Sequence, residues 1–205
     1  SGDVIRRPLS KFFNVHERPS AVPEQADTIV MEKLDGSMVT PLPNGRWATR
    51  KGTTDVAMRA EEFVAANPIY QKTTLGYLED GFTPIFEWCD PNFPIVIKHE
   101  YPSLTLLALR ETISGYYLPH SELQYLGLPV VNQVPLPSLD ATDTEGVVLF
   151  SHSLQDFVKI KTKWYLERHR AWSNPTTDKI VELILNGGLD DIPDNPWKEF
   201  EDQFW

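Results

Sequence analysis

Residues 157–161 read Phe-Val-Lys-Ile-Lys, an alternation of apolar residues with lysine that has a period of two. Successive side chains on an extended strand point to opposite faces, so Lys159 and Lys161 share one side. The pattern demands a strand with one buried face and one face carrying cations. Val147-Val148-Leu149-Phe150 precedes it across the polar run Ser151-His152-Ser153, and the two segments read as a pair of sheet strands. Two ammonium groups on one face repel each other unless an anion lies between them. A bound polyphosphate or a carboxylate of the protein would supply it.

The same logic organises the rest of the chain. Strands are expected at Ile29-Val30-Met31, at Ser37-Met38-Val39 and at Arg46-Trp47-Ala48-Thr49, the last after the hairpin signal Asn44-Gly45. Helix-forming composition runs from Val56 to Ala66. Asn67-Pro68 stops it before a second helical stretch that ends near Gly81. Further strands are expected at Pro84–Cys89, Ile95-Val96-Ile97 and Leu104–Leu109. A short helix over Pro119–Leu126 has Ser121 as its expected cap, and Val134-Pro135-Leu136-Pro137 is a connector. After Trp164 the pattern turns helical, with a helix expected over Thr177–Leu185 and an acidic, aromatic tail over Asp194–Trp205.

Composition narrows the partners. The chain has 205 residues, 41% of them hydrophobic, enough for one large domain or a domain with an appendage. Cys89 is the single cysteine, which excludes an intrachain disulfide and a cysteine-rich zinc site. No apolar run of membrane-spanning length and no signal-peptide core is present, so a soluble cytoplasmic protein is expected. The net charge of −10 argues against coating nucleic acid through bulk electrostatics. Against it stands the basic run from Lys159 to Arg170, either a solvated strand and helix or a phosphate site on an acidic body. Any nucleic-acid affinity is then modest and salt-sensitive.

Four other segments bear on chemistry. Met31-Glu32-Lys33-Leu34-Asp35-Gly36-Ser37 puts Lys33 at a strand end before a tight turn built by Asp35, Gly36 and Ser37. A lysine amine there suits covalent nucleotidyl transfer if desolvation or neighbouring cations keep it neutral. The bland reading is ordinary hairpin punctuation. Thr49-Arg50-Lys51-Gly52-Thr53 offers cations and a glycine to phosphate oxygens, or is a plain basic turn. Phe86-Glu87-Trp88 places Glu87 on a core strand, where a carboxylate needs a partner such as a ribose hydroxyl or a structural arginine. Glu145, just before the Val147 strand, is placed for contact with a hard metal ion or its water, or is a loop carboxylate.

In this order the segments resemble the nucleotidyltransferase motifs of polynucleotide ligases and messenger RNA capping enzymes: Lys33-Leu34-Asp35-Gly36, Phe86-Glu87, Leu106 to Arg110, Glu145-Gly146 and Lys159-Ile160-Lys161. With Arg7-Pro8-Leu9-Ser10-Lys11-Phe12-Phe13-Asn14 upstream and Thr162-Lys163-Trp164-Tyr165 downstream, the chain resembles more narrowly the bacteriophage T4 RNA ligase 1 family, from about residue 6 to about residue 190.

The resemblance implies an α+β fold, a nucleotidyltransferase (ATP-grasp-like ligase) domain of antiparallel sheets with flanking helices and the nucleotide in a cleft. Residues 1–165 would form the adenylyltransferase domain and 166–205 a short helical C-terminal segment. It implies an ATP-dependent RNA ligase, or the adenylyltransferase domain of a larger RNA repair enzyme. Lys33 would take AMP from ATP, pass it to an RNA 5′-phosphate and allow sealing to a 3′-hydroxyl. Lys159 and Lys161 would neutralise phosphate charge, and Glu87 would bond the ribose. Glu145 would help hold Mg2+ or Mn2+, and Lys11 and Lys51 would contact phosphate or nucleotide. Glu32 and Leu34 would lie at the adenine through backbone groups, beside Asp35 and Gly36. The protein would act as a monomer, in its own or an infected host's cytoplasm. A DNA ligase or a GTP-using capping enzyme shares these motifs, although the Lys-Phe-Phe-Asn element and the Trp164-Tyr165 extension argue against both. A nucleotide- or RNA-binding module without turnover is the reading from another class.

Overall fold

The computed structural model describes residues 2–172. The expected helix over 177–185 and the tail over 194–205 lie outside the described residues. The described chain forms two four-stranded sheets with helices on one of them. Strands β1 (Phe13–Asn14), β2 (Thr28–Glu32), β7 (Gly146–Ser151) and β8 (Asp156–Lys161) make one sheet in the order β1-β8-β7-β2. Strands β3 (Ser37–Pro41), β4 (Trp47–Ala48), β5 (Phe82–Cys89) and β6 (Ser103–Glu111) make the other, in the order β4-β3-β5-β6. All pairings are antiparallel except β1 with β8, which is parallel. The architecture is therefore α+β. No helix among the described residues is long and apolar enough to cross a membrane.

Helix α1 (Asp55–Ala66) begins where the Thr54 side chain accepts from Ala57 N–H. Its Ala57, Ala60 and Val64 are buried at helical spacing. Asn67 ends it, and Pro68 opens α2 (Pro68–Glu79), where a missing N–H costs nothing. Both helices cover the outer face of the second sheet, packing Val64 and Tyr70 against Phe86, Trp88, Leu104 and Leu106. Between the two sheets a second cluster joins Met31, Ile85, Ala108, Phe150 and Phe157. Covered on both sides, β5 is buried over seven of its eight residues. A third cluster of Val22, Val147, Leu149 and Val158 lies on the far face of the first sheet.

Four local expectations are corrected by this arrangement. First, β2 and β3 are not a hairpin: they belong to different sheets, and the turn between them carries the chain across. Second, Ile95-Val96-Ile97 is a loop, because the N–H groups of Val96 and Ile97 are taken by the Asp35 carboxylate instead of a neighbouring strand. Third, Ser121 lies inside α3 (His120–Leu123), whose cap position is Pro119 with no side-chain bond. Fourth, Phe157 shares the face of Lys159 and Lys161, while Val158 and Ile160 pack on the opposite side. Helix α4 (Lys163–Trp172) crosses the boundary expected between residues 165 and 166.

Two local features of the strands had no clear signal in the sequence. Ile85 pairs with Ala108 and Phe86 with Leu106, so Leu107 is the extra residue of a bulge and is re-aimed towards the space between the sheets. The Phe13-Asn14 pair joins the edge of β8 in parallel, opposite Val158 and Lys159. That pairing sets Phe12 against Phe157, with ring centroids 5.7 Å apart.

Candidate active site

A cleft of about 830 Å³ opens between the sheets. It collects Lys11, Glu32, Lys33, Leu34, Asp35, Gly36, Lys51, Glu87, Glu145 and Lys159 on its lining. Lys161 reaches the same place through Glu145. The segments expected to act together are scattered over 151 residues of sequence and converge because the two sheets face each other here.

Lys33 follows the last residue of β2, and its N–H donates to the Gly146 carbonyl at 2.9 Å. This bond extends the β2–β7 ladder by one step and fixes where the side chain departs. The Lys33 ammonium lies 2.8 Å from Glu145 Oε1, and the Lys161 ammonium 3.0 Å from the same oxygen. Glu145 is 2% exposed. The anion that the lysine-bearing strand requires is thus, among the described residues, a carboxylate of the protein. Gly146 makes the approach possible: its φ is +142°, and an added Cβ would overlap the Ile160 carbonyl oxygen.

Lys159 is the outlying cation of the group. Burial lowers its pKa first, followed by repulsion from Lys161 and Lys33. A base whose folded pKa is depressed is disfavoured in its charged form, so this part of the stability is regained as pH rises from the lowered pKa towards the unfolded value. Replacing Lys159 by Met should raise the melting temperature of the ligand-free protein by about 2–4 °C at neutral pH. The gain over wild type should shrink as pH rises from the lowered pKa towards the ordinary lysine value. A thermal melt series across pH tests both; an unchanged or lower melting temperature at pH 7 counts against a strained cation.

The turn after Lys33 is packed into β5. The Gly36 N–H donates to Glu87 Oε1 at 3.1 Å, and a Cβ at Gly36 would overlap the Trp88 carbonyl oxygen and lie 2.9 Å from Cys89 Sγ. Gly36 is thus required by the close approach of β5. Gly36→Ala is therefore expected to cost ~2 kcal/mol of stability, since the obstacle is backbone and cannot swing aside. Chemical denaturation reads this directly, and a loss below ~0.5 kcal/mol would show that the turn can move off β5.

Asp35 is 3% exposed, and its carboxylate accepts three bonds: from Val96 N–H at 2.7 Å, Ile97 N–H at 2.6 Å and the Tyr165 hydroxyl at 2.8 Å. Glu32 binds Asn132, whose side-chain amide donates to Oε1 at 2.8 Å, and the Glu32 N–H donates to the Asn132 carbonyl at 3.0 Å. Lys11 is exposed and stands 5.2 Å over the Phe13 ring. Arg50 and Lys51 are exposed in a turn closed by reciprocal bonds between Thr49 and Gly52, immediately ahead of the α1 N-terminus.

Tyr165 lines the cleft and was not singled out as a site residue by the sequence. It is 2% exposed in the first turn of α4, where Tyr165 N–H donates to Thr162 Oγ1 at 3.1 Å. Thr162 Oγ1 in turn donates to the Thr144 carbonyl at 2.8 Å, tying the helix start to the segment that carries Glu145. The local signal was a threonine three residues before a tyrosine directly after a strand. The basic run divides accordingly. Lys159 and Lys161 face the cleft, whereas Lys163 is exposed and pairs with Asp140.

No group of three or more His, Cys, Asp or Glu side chains that could cage a metal occurs among the described residues. Of the carboxylates that line the cleft, Glu145 was expected to serve a metal ion. So small a donor set fits a Mg2+-type ion, which keeps waters and arrives with substrate phosphates, and does not fit a structural metal.

A family model described as RNA ligase matches residues 1–126. The chain is similar to a putative RNA ligase of Thermovibrio ammonificans, 33% identical over 216 residues, covering 94% of this chain and 57% of that protein. RNA ligase 1 of bacteriophage TS2126 is 28% identical over 228 residues, covering 93% and 54%. In fold, the chain is similar to an archaeal ATP-dependent RNA ligase, with a TM-score of 0.62 at 18% identity over 94% of this chain and 60% of that one. A Naegleria gruberi RNA ligase variant solved with AMP and Mn gives a TM-score of 0.63 at 16% identity, over 82% and 59%. The chain spans a little over half the length of the curated relatives it matches. With 126 of its residues matched by one family model, it belongs to the RNA ligase family of the T4 RNA ligase 1 type.

Proposed function

We propose that this chain carries the nucleotidyl-transfer centre of an ATP-dependent RNA ligase. The observation that carries the reading is the Lys33 amine at the cleft floor, sharing one carboxylate oxygen with Lys161 while Lys159 stands close enough to feel both cations. In the first step the Lys33 ammonium releases a proton to solvent, and the Nζ lone pair so freed attacks the α-phosphorus of ATP. A P–N bond forms, the bond from the α-phosphorus to the bridging oxygen breaks, pyrophosphate leaves with that electron pair, and the amine sheds a proton. The AMP then passes to an RNA 5′-phosphate, regenerating the Lys33 amine. A 3′-hydroxyl finally attacks the activated 5′-phosphate, forms the phosphodiester and releases AMP.

The side chains divide this work. Lys33 and Lys161 at Glu145, with Lys159 nearby, supply cations where a polyphosphate arrives, despite the net charge of −10. Lys159 and Lys161 sit where charge grows on the phosphate oxygens, and Lys11, Arg50 and Lys51 hold the outer phosphates at the rim. Leu107, Val131 and Val148 offer an apolar wall to the base. Glu87, already bonded to the Gly36 N–H, is placed for the ribose. Glu145 would help hold a Mg2+ or Mn2+ ion brought in with the nucleotide, which would supply charge neutralisation at the reacting phosphate.

Incubation of the protein with α-labelled ATP or GTP and Mg2+ or Mn2+, followed by denaturation, tests the reading. Covalent label from ATP is expected. No label from either nucleotide would leave a binding module, and label from GTP alone would move the chemistry to capping. A sealing assay with single-stranded, nicked and stem-loop RNA carrying 5′-phosphate and 3′-hydroxyl ends then identifies the acceptor.

A further inference from the structure

The loop between β5 and β6 reaches back over the turn that follows Lys33. Besides the two N–H bonds from Val96 and Ile97 to the Asp35 carboxylate, His99 Nε2 lies 2.8 Å from the Asp35 backbone oxygen. A carbonyl oxygen only accepts, so this imidazole nitrogen carries the proton and donates it. The backbone around the nucleophile is therefore held on both sides, downstream also by the Gly36 N–H bond to Glu87 and by Cys89 Sγ, 3.9 Å from the same Asp35 oxygen. Upstream, Lys33 N–H is bonded to the Gly146 carbonyl of the first sheet. Downstream, the Asp35 carbonyl is bonded to His99, which comes from 64 residues further along the chain and belongs to the loop of the second sheet. Between these anchors the main chain has only Lys33, Leu34 and the Asp35 peptide with which to place the amine.

We propose that His99 is a positioning residue for nucleotidyl transfer: its Nε2–H bond to the Asp35 carbonyl holds the turn so that the Lys33 amine meets the α-phosphorus in line. The inference rests on the reading of Lys33 as nucleophile. Displacement of a reacting group by about 1 Å costs on the order of 10²-fold in rate. Releasing the His99 anchor should therefore slow the attack by roughly 10-fold, while the carboxylate bonds of Asp35 and the Gly36 N–H bond to Glu87 keep the turn folded. His99 is not on the lining of the cleft, so nucleotide affinity should not change.

Single-turnover labelling with α-labelled ATP separates this from a merely structural role. The rate constant belongs to the folded fraction and the plateau counts how much protein is folded and competent, so partial unfolding shows only in the plateau. His99→Phe keeps a ring and removes the donor. It should label about 10-fold more slowly, with the plateau and the KM for ATP at wild-type values. His99→Gln restores an N–H donor at similar reach and should come within about 3-fold of the wild-type rate. A His99→Phe rate equal to wild type, a lowered plateau with unchanged rate, or a His99→Gln as slow as His99→Phe would each overturn the inference while leaving Lys33 as the nucleophile. A wild-type protein that takes no label would overturn the nucleotidyl-transfer reading and this inference with it.

Discussion

Lys33→Ala is expected to take no label from ATP, a loss on the order of 10⁴-fold or more, because removal of a covalent nucleophile leaves only binding and electrostatic catalysis behind. The structure predicts that this variant stays folded. Lys33 shares Glu145 Oε1 with Lys161, at 2.8 and 3.0 Å, so its removal does not orphan a buried charge. The Lys161–Glu145 pair remains, and the like-charge pressure on Lys159 falls. A melting temperature within about 2 °C of wild type should therefore accompany the loss of labelling. Label that persists in Lys33→Ala would refute the assignment of the nucleophile, and a gross loss of folding would refute the account of the charge network.

Glu145→Gln should do the opposite kind of damage. It removes the single carboxylate that lies between two ammonium groups, with Lys33 and Lys161 side chains only 21% and 12% exposed. Breaking a buried pair from one side costs roughly 3 kcal/mol. Each ~1 kcal/mol is worth about 2–4 °C of melting temperature in a chain of this length. Self-labelling should fall on the order of 10²-fold as well, since charge around the reacting phosphate is no longer balanced. The diagnostic measurement is the melt with added pyrophosphate. An anion that takes the carboxylate's place should stabilise Glu145→Gln more than wild type. Equal stabilisation of the two proteins would mean that the lysines do not surround the phosphate site.

These two variants differ because a lysine at this site is one of several cations, whereas the carboxylate is their shared acceptor. The residue types of that arrangement were legible in the sequence. The alternation Phe157-Val158-Lys159-Ile160-Lys161 announced a strand with two cations on one side and an anion owed to them. Glu87 between two aromatics announced a buried carboxylate needing a partner. The identity of the partners was not legible. Glu145 and Lys33 are 112 positions apart and meet only because β2 and β7 are neighbours in one sheet, with Glu32 opposite Val147. Gly36 and Glu87 meet because β3 and β5 are neighbours in the other, with Met38 opposite Glu87.

Expectations failed where a local pattern was outbid by a long-range bond. Ile95-Val96-Ile97 has strand composition, yet its N–H groups satisfy the Asp35 carboxylate and no ladder forms. The Asp-Gly turn after Lys33 has hairpin composition, yet β2 and β3 separate into two sheets. The bulge at Leu107 left no mark in the sequence, because an extra apolar residue in a run of leucines looks like its neighbours.

By itself the sequence determined most of the element types, the alternating lysine face, the helix limits set by Asn67 and Pro68, and the set of ionisable residues from which chemistry is built. Those follow from side-chain periodicity and backbone restriction, which act over a few residues. The tertiary structure alone decided that the lysine face points into a cleft between two sheets and that one carboxylate serves two lysines. It also decided that a loop 61 to 64 residues away holds the turn behind Lys33. Those are consequences of which strands become neighbours, a choice made by burying the cluster of Met31, Ile85, Ala108, Phe150 and Phe157 between the sheets, and no window of the sequence contains it.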